Sequence, residues 1–174
     1  MRVYKYSLFI LIGVLVLYSN LSCERDDICA EGTPTTPFLV IKFIDFDTST
    51  QVKAPLELQV KAVGIETPFT LGTVTDSILI PLRNNVSITD YEFTINSDIT
   101  NNSDTDPLPN KDTVSFQYTT EEEYVSSACG FKINYKGLTV SPVEAGDDGS
   151  WIKNITIQRE NVTDETTAHV FIFH

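Results

Sequence analysis

The sequence predicts an all-β domain, an antiparallel β-sandwich of immunoglobulin-like or related type with about eight strands. Three observations carry this expectation. Beyond residue 22 the chain is rich in Val, Ile and Thr and poor in Ala and Leu, a composition that suits pleated, half-buried strands. Period-two alternation recurs along it, whereas no window of about ten residues shows a convincing 3.6-residue period. Turn signals separate the alternating runs. A small closed β-barrel is the alternative arrangement of the same strands.

Taken in order, Phe38-Leu39-Val40-Ile41-Lys42-Phe43-Ile44 is apolar at both parities and reads as a central strand, covered on both faces. Leu56, Leu58, Val60 and Ala62 alternate with Glu57, Gln59 and Lys61, which predicts a strand with one buried face. Tyr91, Phe93 and Ile95 alternate with Glu92 and Thr94; Val114, Phe116 and Tyr118 alternate with Ser115 and Gln117. Val125, Cys129, Phe131, Ile133 and Tyr135 share a parity, so a strand over 125–135 is expected to bury that set. Further strands are expected over 77–82, 152–159 and 168–173. Three polar stretches, residues 96–111, 141–151 and 160–167, read as connections, and most such loops are solvated connectors.

Ahead of this domain stands a processing signal. Arg2 and Lys5 precede an uncharged run that includes the apolar stretch from Leu8 to Leu17, and the next charge is Glu24. A basic start, a short apolar core and small or polar residues near a cut site describe a secretory signal. The competing reading is an uncleaved signal-anchor, which is disfavoured because a spanning helix needs about 20 mostly apolar residues. Asn20-Leu21-Ser22-Cys23 resembles the lipobox of bacterial lipoproteins, with Asn20 where Leu is usual. On that reading Cys23 is lipidated and becomes the new N-terminus, and acyl chains attach the protein to a membrane. The organisation is then a signal peptide over 1–22, a lipid-anchored tether over 23–37 and the sandwich over 38–174.

The whole chain has 24 Asp+Glu against 12 Lys+Arg. Removing residues 1–22 takes away Arg2 and Lys5 and changes the net charge from −12 to −14. Such acidity argues against a nucleic-acid partner, and 41% hydrophobic residues argue for a folded core. Glu24-Arg25-Asp26-Asp27, directly after Cys23, resembles the surface-export signal of Bacteroidota lipoproteins. Its plain alternative is a solvated charged linker, so the cell surface and the periplasmic face both stay open. With Cys23 given to lipid, Cys29 and Cys129 form an even pair in an oxidising compartment, which favours a disulfide over a buried free thiol. The free tether would then run only from Glu24 to Ile28, at most about 17 Å.

Catalytic patterns are missing. No nucleophile elbow, phosphate-binding loop, dinucleotide fingerprint, zincin motif or Cys-x-x-Cys occurs. His169 and His174 are the only histidines and both lie near the end, so no spaced zinc set exists and no cofactor is expected. A hydrolase using a carboxylate pair is the enzymatic alternative, although abundant carboxylates single out no pair. Asp45-Phe46-Asp47 begins like a calcium loop and then fails, with Thr50 and Leu56 at the positions that need Gly and Glu. Asp147 and Asp148, in Gly146-Asp147-Asp148-Gly149, are a second weak cation or binding candidate. Trp151 is the weak candidate for an exposed binding aromatic, set against the commoner fate of a sandwich-core tryptophan. Asp76-Ser77-Ile78 and Asp112-Thr113-Val114 resemble the short Asp-Ser/Thr-apolar sites at which Bacteroidota O-glycosylate exported proteins.

Cys23-Glu24-Arg25-Asp26-Asp27-Ile28-Cys29, Glu31-Gly32-Thr33-Pro34-Thr35-Thr36-Pro37, Ala128-Cys129-Gly130-Phe131-Lys132 and the ending His169-Val170-Phe171-Ile172-Phe173 together resemble a flavobacterial lipoprotein family. That family is catalogued as the domain of unknown function 6452. The resemblance implies a lipid anchor, Bacteroidota origin and paired Cys29 and Cys129, and it implies no activity. The expectation is therefore a non-enzymatic binding or accessory module, lipid-anchored at the outer membrane, with an envelope protein or glycan as its possible partner.

Overall fold

The computed structural model describes residues 28–69, 74, 76–97, 107–146 and 148–174. Nine strands occur among them and no helix: β1 Leu39–Ile44, β2 Gln59–Ala62, β3 Ser77–Ile80, β4 Ile88–Ile95, β5 Asn110–Ser126, β6 Gly130–Val140, β7 Glu144–Ala145, β8 Asn154–Ile157 and β9 Val170–Phe173. They form two sheets, one ordered β3-β1-β9-β8 and the other β2-β4-β5-β6 with β7 also paired to β5. This is the expected sandwich, and the two separate sheets leave no closed barrel. No helix among the described residues is long and apolar enough to cross a membrane.

The core lies between the sheets and is fed by alternation. Val60, Tyr91, Phe93, Val114 and Phe116 come from one sheet, and Leu39, Ile41, Phe43, Ile78, Ile80, Val170 and Ile172 from the other. As its two-sided apolarity requires, β1 is central and its neighbours are β3 and β9. One pair departs from the antiparallel expectation: β1 and β9 run parallel, in the register Ile41↔Val170 to Ile44↔Phe173. These are the first and last strands, so no short hairpin forces them antiparallel.

Two expected strands differ in detail. Glu57 sits at φ 47°, in the left-handed region, and turns the chain at the point where the alternation begins. Leu56 consequently leaves the predicted face and is exposed, and β2 begins only at Gln59. The expected strand over 125–135 is in fact a hairpin. β5 ends at Ser126, residues 127–129 turn, and β6 begins at Gly130, whose φ of 70° suits glycine. Parity is not transmitted through that turn, so Val125 does not share the face of Phe131, Ile133 and Tyr135; Phe131 is exposed, and Asn134 of the opposite parity is buried.

Three tyrosines fasten the middle of the molecule. Tyr91 of β4, Tyr118 of β5 and Tyr135 of β6 donate to the carbonyls of Pro81, Arg83 and Leu82 respectively, at 2.7 Å for Tyr118 and 2.8 Å for Tyr135. The segment after β3 has left its sheet, and these hydroxyls satisfy its carbonyls, that of Leu82 in a buried setting. Burial pushes all three phenols up, Tyr135 to about 12.

Candidate functional site

Long strands create the most distinctive surface. β4 pairs with β5 only as far as Ile88↔Gln117, whereas the pairing of β5 with β6 continues to Ser126↔Gly130. Beyond residue 118 β5 therefore keeps only β6 as a strand neighbour, and from Glu121↔Asn134 to the turn the hairpin is a two-stranded ribbon. A register shift between Gln117 and Thr119, with Gly137 at φ 62°, marks a bulge just ahead of the ribbon.

The two faces of the ribbon differ. One carries cross-strand charge: Lys132 lies 3.2 Å and the Asn134 amide 2.6 Å from the same Glu123 carboxylate oxygen, and Lys136 lies 3.3 Å from Glu121. The Asn134 hydrogen bond, followed by that of Lys132, holds the Glu123 carboxyl below its usual range. The other face continues the core parity of β5 outward. Tyr135 and Ile133 still pack on the core, and then Tyr124 and Phe131, directly opposite in register, stand edge to face at 5.4 Å. They are 58% and 63% exposed, respectively. Alternation predicts which face they share, but it cannot tell that the opposing sheet stops short of them.

At the tip the Cys129 N–H donates to Ser126 Oγ at 3.0 Å, closing the turn. Cys129 is bonded to Cys29, with Cα atoms 4.9 Å apart and a sequence separation of 100. The strip leading into β1 is thus fixed to the hairpin tip. Thr36 also accepts from the Ile133 N–H at 2.9 Å along the outer edge of β6. Ile28, the residue before Cys29, is 76% exposed. Cys23 lies outside the described residues.

Comparison with known families gives one assignment. Residues 57–174 match the family of unknown function DUF6452. The chain belongs to this family. The matched segment holds Cys129 and the whole ribbon, and Cys29 lies upstream of it. No curated protein and no solved structure matches the chain.

The other sequence candidates resolve mainly into structure. Trp151 is 6% exposed, and its indole N–H donates to the Phe93 carbonyl at 3.1 Å. It is a core residue, so the exposed-aromatic expectation for it is corrected. Asp148 is exposed in the turn closed by the Gly149 N–H on the Gly146 carbonyl, and Asp147 lies outside the described residues. No group of three or more His, Cys, Asp or Glu able to hold a metal occurs among the described residues. Asp45, the first residue of the calcium-like stretch, already holds a cation, Lys53 at 3.0 Å, and accepts from the Thr48 N–H.

A residue whose role the sequence did not reveal is Asp112. It is fully buried, and its Oδ2 accepts from Ser150 Oγ at 2.7 Å and the Ile152 N–H at 2.8 Å. It stands in the Asp112-Thr113-Val114 triplet and ties the 141–151 connection to β5. The 160–167 connection is likewise structural: Val162 pairs with Tyr135, and Arg159 grips Asp164 through both guanidinium nitrogens at 2.9 and 2.8 Å. Those hydrogen bonds hold the Asp164 carboxyl far below its usual range.

Burial pushes the pKa of both histidines down. His169 Nδ1 accepts from the Val40 N–H at 3.1 Å; His174 stands edge to face with Phe43 and Trp151. Neither has the partnership of a general base with a nucleophile. Among the described residues, the carboxylates with displaced pKa, Asp45, Glu92, Glu123 and Asp164, are all held below their usual range by hydrogen-bonded side chains. A glycosidase-type acid needs the opposite shift.

Proposed function

We propose that the protein is a lipid-anchored module of the cell envelope, attached through Cys23, that works by binding and not by catalysis. The observation that carries this reading is the Cys29–Cys129 bridge. A structural disulfide suits an oxidising compartment outside the cytoplasm, where the signal-like segment and Cys23 would deliver the chain. The bridge also leaves only residues 24–28 between the anchor and the fixed domain, so the module would be held against the membrane. The candidates for chemistry point the same way, since both histidines and Asp112 serve structural contacts. The partner on this reading is an envelope protein or glycan, at the outer membrane.

Inhibition of lipoprotein signal peptidase by globomycin tests the anchor. An unprocessed precursor should accumulate, and the Cys23→Ala variant should lose its membrane association. Processing unaffected by the inhibitor, with no acyl group on Cys23, would remove this proposal. Cross-linking the lipidated protein in intact envelopes and identifying what it captures tests the binding role.

A further inference from the structure

We infer that the exposed Tyr124–Phe131 pair is a membrane-contacting tip, seated in the interface of the bilayer that carries the anchor. This inference rests on the anchored reading above and specifies its geometry. Three observations meet at one place. Phe131 lies two residues from Cys129, so its Cα is within about 7 Å of the disulfide. The disulfide in turn lies at most about 22 Å of extended chain from Cys23. At that location the protein exposes Tyr124, Phe131 and Ile28, apolar side chains that elsewhere in the fold feed the core.

The chemistry suits an interfacial occupant. A Phe ring and a Tyr ring with its hydroxyl present an apolar body and a polar end, the combination favoured where hydrocarbon meets headgroups. The ribbon is charged on its other face, where Glu121 and Glu123 are matched by Lys136 and Lys132. Glu122 follows Tyr124 on the aromatic face and is exposed. It limits insertion to the tip, with the carboxylate left among the headgroups. A protein of mature charge −14 is repelled by anionic lipid, so the surface it fits is zwitterionic. The tip acts as a second point of contact beside the acyl chains, orienting the domain instead of leaving it to rotate about its tether.

The test uses full-length, lipidated protein in phosphatidylcholine vesicles, with and without brominated acyl chains. Phe131→Trp places a reporter at the tip, and Tyr124→Trp repeats the measurement on the facing strand. The unmodified protein, whose sole tryptophan is the buried Trp151, gives the baseline. Expected are a shift of the new emission to shorter wavelength on vesicles and a loss of intensity in brominated lipid that the baseline lacks. Vesicle-bound, acylated protein whose new emission is neither shifted nor quenched overturns the inference and leaves the anchor standing. A shift that appears only when envelope protein is added overturns it in favour of a protein partner. Protein without an acyl group, failing to bind vesicles, overturns both readings together.

Discussion

The two ends of β5 carry aromatic residues on the same face and put them to opposite use. At one end Phe116 and Tyr118 are buried, and Tyr118 shares with Tyr91 and Tyr135 the task of holding residues 81–83. At the other end Tyr124, of the same parity, stands exposed against Phe131. The strand, the spacing and the residue type are alike; only the length of the facing sheet differs. A period-two pattern therefore fixes which residues share a face, while tertiary packing decides whether that face is covered. Uncovered aromatics secured by a disulfide are what make the tip the candidate for contact with something outside the fold.

If this contrast is sound, stability should be concentrated in the body and in the crosslink. The largest effect should come from Cys129→Ala. It reopens a loop of separation 100, which on the loop-entropy account costs about 4–5 kcal/mol in urea denaturation. Cys29→Ala should cost the same, and the double variant no more. Asp112→Ala should follow at about 2–3 kcal/mol, because it leaves the buried Ile152 N–H without the carboxylate that accepts from it, whereas the Ser150 hydroxyl keeps the Ile152 carbonyl as acceptor.

Tyr135→Phe should cost about 1–2 kcal/mol by leaving the Leu82 carbonyl without its donor. The same phenol sets an alkaline limit. Its folded pKa, about 12, lies above the ordinary value of 10.0, so its stabilising contribution is complete below pH 10 and is lost as pH rises towards 12. Alkaline unfolding followed by circular dichroism should begin in that window in the parent, and Tyr135→Phe should lessen the slope there. Smallest of all, Phe131→Ser should change stability by less than about 0.5 kcal/mol, since the ring is exposed. A large loss from Phe131→Ser, or none from Tyr135→Phe, would erase the contrast between the two ends.

Much of the fold was legible because burial on both faces makes β1 apolar at both parities and burial on one face writes alternation into β4 and the first half of β5. The Cys29–Cys129 pairing was legible by elimination, once Cys23 was set aside. What was not legible depended on long-range geometry. Nothing local signals that Phe131 lies across a turn from Val125, because Cys129-Gly130-Phe131 continues the alternation through the hairpin. Asp112 looks like any polar residue beginning a strand, and its role depends on Ser150 and Ile152, far along the chain. Trp151 was legible as a core tryptophan but not as the donor to Phe93 that it is. The parallel pairing of β1 with β9 leaves no mark in either strand's own pattern.

The central claim is that a lipid anchor and a disulfide-fixed hairpin tip meet within a few residues of each other. Non-reducing proteolysis of the protein from native membranes, followed by mass spectrometry, reads both at once. The account predicts a single crosslinked species in which an N-terminal peptide beginning at acylated Cys23 is joined through Cys29 to the peptide containing Cys129. An N-terminus upstream of Cys23, an unacylated Cys23, or free thiols at Cys29 and Cys129 would contradict it.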